Sequence, residues 1–194
     1  MATQTPGELE FDFALVLSGV TELDEILFDA LYEAGCDDAT LSLQHGVVVL
    51  DFSRSAASLK EAILGAIRDV RRSGLGVDVL RVDHCDRVNQ AEIARQIGRT
   101  RSIVNQYING KRGPGGFPPP ISHITEGNPV WAWSDVAVWL GQNGIIKEQV
   151  ATEACDVFLI NLILEYQHRH QAHPELFDTI SAELRTVIIP NIQR

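Results

Sequence analysis

Asn89–Arg112, NQAEIARQIGRTRSIVNQYINGKR, reads as two short helices around a tight turn. Ile93, Ala94 and Ile97 give the first helix one apolar face, and Val104 and Ile108 do the same for the second. Gly98 can take the positive φ that ends a helix, and Thr100 offers a hydroxyl to cap the next one. That succession is helix-turn-helix grammar. A second helix from Thr100 to Asn109 turns Arg101, Ser102, Asn105 and Gln106 outward, side-chain types that hydrogen-bond base edges in a major groove. Gln90, at the start of the first helix, and Arg99, Lys111 and Arg112, near the second, are placed to hold phosphates.

Charge distribution bears on that expectation more than the total does. The chain has 194 residues and a net charge of −10, which by itself disfavours a polyanionic partner. Residues 1–82 carry 6 basic and 14 acidic groups, residues 83–147 carry 7 and 5, and residues 148–194 carry 3 and 7. Between Arg87 and Arg112 there are six basic residues and one acid. The positive charge is concentrated on the helix-turn-helix, so the global acidity does not exclude DNA.

Upstream, Phe11–Ser18 is a strand candidate, followed by a helix capped by Thr21, with Asp24 at the capping-box position, that runs to Gly35. Ala39–Gln44 and Val47–Phe52 are strands around a His45-Gly46 hairpin turn. Ser58 caps a second helix with Leu59, Ala62, Ile63, Ala66, Ile67 and Val70 on one face, and Val77–Val82 is a last strand. The order βαββαβ resembles the ferredoxin-like split βαβ unit, in topology and without any iron–sulfur cysteine run. His84–Val88 reads as a connector into the helix-turn-helix.

Downstream, Gly-Pro-Gly-Gly-Phe-Pro-Pro-Pro must be a shaped turn. Ile121–Thr125 and Val130–Trp133 follow as a short hairpin, and Ser134 is expected to cap a helix over Asp135–Gln142. Phe117, Pro118, Pro120, Trp133, Ser134, Asp135, Val136, Trp139 and Leu140 carry a resemblance to the excisionase/MerR-like winged-helix family over residues 87–143. That family runs from recognition helix through a proline-bearing turn and hairpin wing to an S-[DE]-V-x-x-W-L helix. The resemblance implies a winged DNA-binding module whose core holds Trp133 and Trp139; separately, strand alternation puts Trp131 on the same face as Trp133, with at least one ring expected to be partly exposed. This chain departs from the family in a glycine-rich loop, GKRGPGG, and in a wing without Lys or Arg.

From Glu148 onward two helices are expected, broken at Pro174, each with a broad apolar face that must pack on the sheet, the wing or another chain. The fold class is therefore α+β: a ferredoxin-like domain over 1–83, a winged helix-turn-helix over 84–147 and a helical pair over 148–194.

Other chemistries find little support. Of His168, His170 and His173 only the last two share a helical face, and no further ligand completes a metal set. His84-Cys85-Asp86 lacks the partners of a nucleophilic site. There is no P-loop, dinucleotide fingerprint or paired-carboxylate pattern, so no catalytic residue and no cofactor is expected. Three scattered cysteines, no signal peptide and no apolar run of membrane-spanning length point to a reduced, cytoplasmic protein without a membrane partner. The expected function is sequence-specific binding of double-stranded DNA as a dimeric transcriptional repressor. One variant is an autoregulating antitoxin whose acidic segments bind a basic protein partner such as a toxin. A protein-interaction adaptor and a ligand-sensing regulator using the N-terminal sheet are the alternatives.

Overall fold

A computed structural model describes residues 9–188. The chain is mixed α+β, with seven helices, a four-stranded antiparallel sheet and a two-stranded sheet among the described residues. The first half runs β1 (Leu9–Ser18), α1 (Glu25–Glu33), β2 (Ala39–Gln44), β3 (Val47–Ala56), α2 (Leu59–Arg72) and β4 (Asp78–Val82). The strands lie in the order β2-β3-β1-β4, every neighbouring pair antiparallel. The β2–β3 hairpin closes through His45 and Gly46, both at positive φ (51° and 82°), as a two-residue primed turn requires.

Alternation along β1 and β3 sends Phe13, Leu15, Leu17, Val48, Leu50 and Phe52 into one core. Leu27 and Leu31 of α1, and Ile63, Ala66, Ile67 and Val70 of α2, fill that core from above. Caps locate both helices. Asp24, not Thr21, accepts the Leu27 N–H at 2.7 Å, so α1 starts later than the sequence suggested. Ser58 accepts the Glu61 N–H at 3.2 Å, as expected.

One arginine is built into this half. Arg54 makes a two-pronged contact with Asp38, at 2.7 and 2.8 Å, and another with Asp69 at 2.8 Å. It also donates to the Gly35 carbonyl at 2.8 Å and lies 4.8 Å over the Phe52 ring. The paired carboxylates hold the guanidinium charged despite its burial, keeping its pKa above the ordinary arginine value.

The second half contains β5 (Arg87–Asn89), α3 (Gln90–Gln96), α4 (Arg101–Ile108), β6 (Val130–Ala132) and α5 (Trp133–Gln142). The segment read as a connector in fact ends in a strand: β5 pairs antiparallel with β6, Val88 opposite Trp131. Val88, Ile93, Val104, Tyr107, Trp131 and Trp139 sit among the buried residues of a second core.

Helix α6 (Glu148–Ala172) joins the two cores. Its Ala151 and Ala154 pack in the second core, while Val157, Ile160 and Leu164, further along, pack in the first. Asn161 closes the outer edge of β4. Its side-chain amide accepts the Val82 N–H at 2.8 Å and donates to the Val82 carbonyl at 3.1 Å, supplying the bonds a neighbouring strand would make. Helix α7 (Pro174–Ile188) follows the break at His173. It leaves Leu176, Ile180, Leu184 and Val187 exposed. No described helix is long and apolar enough to cross a membrane.

Candidate nucleic-acid interface

The geometry of α3 and α4 is set by local chemistry. Asn89 caps α3, its side chain accepting from the Ala91 and Glu92 N–H groups at 2.8 and 3.1 Å, and Glu92 returns a bond to the Asn89 N–H at 2.7 Å. This is a reciprocal capping box. The helix ends at Gly98, φ +61°, where the Gly98 N–H reaches the Arg95 carbonyl and the Arg99 N–H reaches Ala94, at 3.2 and 2.9 Å. Those two bonds make a Schellman ending, and a side chain at the positive-φ position would be strained. Two residues later Thr100 accepts the Ile103 N–H at 3.4 Å and starts α4. At the far end the same motif recurs, with Gly110 bonding Tyr107 and Lys111 bonding Gln106 at 3.1 and 2.8 Å.

Burial divides α4 cleanly. Val104 and Tyr107 are buried, Ile103 and Ile108 pack beside them, and Arg101, Ser102 and Asn105 are exposed. Gln106 is half-buried at the edge of that surface. Arg99, Thr100, Lys111 and Arg112 are all exposed, the first two before α4 and the last two just beyond it. None of the ion pairs among the described residues uses Arg99, Arg101, Lys111 or Arg112. Gln90 is half-buried at the first turn of α3, where the Glu92 carboxylate already occupies the helix start. A phosphate there would meet a like charge.

Two residues that sequence reading passed over belong to the same surface. Arg95 is exposed in the last turn of α3. Asn109 is exposed and donates to the Asn105 carbonyl and side-chain oxygens at 2.8 and 3.0 Å, which fixes the Asn105 amide. The i, i+4 spacing of Asn105 and Asn109 was the signal that could have revealed the pair.

The glycine–proline loop is held by tryptophan. Trp139 donates its indole N–H to the Gly115 carbonyl at 2.9 Å, and Trp131 donates to the Pro118 carbonyl at 3.0 Å. Phe117 meets both rings edge-on, at 6.3 and 5.1 Å between centroids, and Tyr107 of α4 lies 5.3 Å from Trp139. Gly113 runs so close to Trp139 that a Cβ would fall 3.2 Å from the ring. The loop that carries Lys111 and Arg112 out of α4 is thereby anchored on the core of its own module.

All three tryptophans are buried, so the expected exposed ring is absent. Trp131 lies in β6 and Trp133 opens α5, so both turn inward. Ser134 does not cap α5. The helix begins at Trp133, whose N–H is bound by the Asp86 carbonyl at 2.7 Å, and the Ser134 hydroxyl is buried without a protein partner. The expected hairpin is shorter than its sequence suggested: Ile121–Thr125 is no strand, and only a Ser122–Val130 bridge links it to β6. The loop exposes Ile121 and Ile124, and residues 113–146 contain no Lys or Arg.

The histidines near the end of α6 form no metal cluster among the described residues. His170 instead stacks on Tyr166 and meets Phe177 of α7 edge-on, 5.3 Å between centroids. His84, Cys85 and Asp86 lie in the segment before β5, with the Cys85 thiol donating to the Arg87 carbonyl at 3.0 Å. No family model, curated protein or solved structure matches the chain.

Proposed function

We propose that this protein is a sequence-specific double-stranded DNA-binding regulator, acting as a homodimeric repressor from the cytoplasm. The observation that carries the reading is the outward face of α4. It presents Arg101, Ser102 and Asn105, bracketed by Arg99, Lys111 and Arg112, cations in no ion pair among the described residues, in a chain that is otherwise acidic. The α3–α4 turn and the loop packed on Trp131 and Trp139 support reading 84–147 as a winged helix-turn-helix of the excisionase/MerR type. The strand order β2-β3-β1-β4, with α1 and α2 in one core, supports reading 1–83 as ferredoxin-like.

On this reading α4 enters the major groove, Arg101 and Asn105 read base edges, and Arg99, Lys111 and Arg112 hold phosphates. Gln106 contributes from the rim of the same face. The loop after the proline turn has no cation to add, so α4 and its flanks carry the phosphate contacts. One eight-residue helix offers few base contacts, and pairing two copies doubles them. The exposed apolar stripes of α6 and α7, Leu159, Leu162 and Ile163 with Leu176, Ile180 and Leu184, are the surface assigned to dimerisation. An acidic C-terminal segment also suits the antitoxin variant, with a basic protein covering the same stripes.

Enrichment of bound duplexes from a random pool, followed by anisotropy titration, tests the reading. Recovery of a two-half-site sequence is expected, with Arg101→Ala costing about 1–3 kcal/mol and relaxing preference at one base pair. If every duplex binds in the non-specific range and Arg101→Ala with Gln106→Ala changes nothing, the reading fails.

A further inference from the structure

A hollow of about 540 Å³ lies where the sheet, the segment before β5 and α6 meet. That volume is within the range of small-molecule sites. Its apolar lining is Val16, Val47 and Leu80, contributed by three strands of the sheet. Three guanidinium groups, Arg81, Arg87 and Arg169, and two imidazoles, His84 and His168, line it as well. Asp86 and Glu165 line it too and Asp83 pairs with Arg81 at its edge, so three carboxylates stand against three guanidinium groups and two imidazoles. In a chain of net charge −10 this gathers three of the sixteen Lys and Arg residues around one hollow.

The cations are available. Arg81 pairs with Asp83 at 3.2 Å, and Arg169 with Glu165 at 3.7 Å, with all four side chains more than half exposed. Such pairs contribute little and are readily exchanged for a better anion. Arg87 takes part in no ion pair among the described residues. A concave, partly apolar wall lowers the local dielectric and strengthens attraction to an anion over that on an open surface. Asn161, which ties Val82 to α6, also lines the hollow.

We propose that this hollow binds a small organic oxyanion, a phosphate ester or carboxylate on an apolar body, with the head between Arg81, Arg87 and Arg169 and the body on Val16, Val47 and Leu80. A molecule seated there touches the sheet, the lead-in to β5 and α6 at once. Its occupancy therefore ties the sheet module to the module carrying α4. This site stands independently of the DNA reading, and its test contains no DNA.

Calorimetric and thermal-shift titrations of the full chain use phenyl phosphate and benzoate as probes, with benzyl alcohol as the neutral counterpart. Saturable binding of at least one oxyanion is expected, with a rise in melting temperature by linkage. Tighter phenyl phosphate assigns a phosphate ester, and tighter benzoate a carboxylate. Arg87→Gln with Arg169→Gln should weaken binding about tenfold or more while leaving the circular dichroism of the free protein unchanged. Leu80→Asn should weaken it separately, by removing the apolar contact. Absence of saturable oxyanion binding at millimolar concentration overturns the proposal. So does equal binding of benzyl alcohol, or affinity unchanged in the Arg87/Arg169 variant.

Discussion

Arg54 in the sheet half and the arginines flanking α4 in the second half sit in opposite surroundings. In the sheet half Arg54 is sunk between Asp38 and Asp69, bonded to the Gly35 carbonyl and roofed over Phe52. In the second half Arg99, Arg101 and Arg112 stand exposed and take part in no ion pair among the described residues. A buried guanidinium needs every donor satisfied, and the acidic sheet half supplies the acceptors. Beside α4 the aromatic core built on Trp131 and Trp139 shapes the loop through indole-to-carbonyl bonds, without using any charge. The contrast teaches that Arg54 serves to hold the sheet half together, while the cations around α4 are left exposed and outside every ion pair among the described residues.

Substitutions sharpen that contrast. Arg54→Met leaves Asp38 without its counter-charge and Asp69 with only the exposed Arg72, and should cost about 3 kcal/mol or more in urea unfolding. Adding Asp38→Asn and Asp69→Asn should recover part of the loss, whereas a near-neutral single variant would break the contrast. Asn161→Leu strips the β4 edge of its bonding partner at Val82 and should cost about 1–3 kcal/mol by the same measurement. Arg101→Met, on the open face of α4, should move stability by no more than about 0.5 kcal/mol.

The sheet half also carries a pH signature. Burial pushes the Cys36 thiol up to about 11 from an ordinary 9.0, against the attraction of the Arg54 charge. The folded state thus holds the thiol proton more tightly than the unfolded one. This contribution is whole below pH 9.0 and is lost as the pH climbs toward about 11. Midway it amounts to on the order of 1 kcal/mol, read as the alkaline decline that disappears in Cys36→Ala.

What was legible in the sequence was what local chemistry decides. Gly98 ends one helix and Thr100 starts the next because a positive φ and a hydroxyl acceptor act within a few residues. The strand and helix order of the first half was equally readable, since alternation and i, i+4 spacing are written along the chain. The β5–β6 pair was not, because each strand is three residues long and its partner lies some forty residues away. Arg54 was missed because its acceptors come from two separate segments, the α1–β2 connection and α2, and no spacing announces them. The two halves of α6 were visible as one apolar helix, but not that Ala154 and Val157 belong to different cores. Among the candidate contact residues, exposure of Arg101, Ser102 and Asn105 followed from helical phase, whereas Gln106 turned partly inward.

The central claim, that the cations around α4 are kept for a DNA backbone, is tested most directly by the salt dependence of duplex binding. The logarithm of the association constant is measured against the logarithm of salt concentration for the parent chain and for Arg99→Ala, Arg101→Ala, Lys111→Ala and Arg112→Ala, with Lys60→Ala as control. Arg99→Ala, Lys111→Ala and Arg112→Ala are each predicted to lower the slope by about 1 and to weaken binding to every duplex, as expected when one phosphate contact is lost, whereas Arg101→Ala weakens binding chiefly to the preferred sequence. The control, on α2, should change neither. Equal slopes for all five variants and the parent would contradict the account.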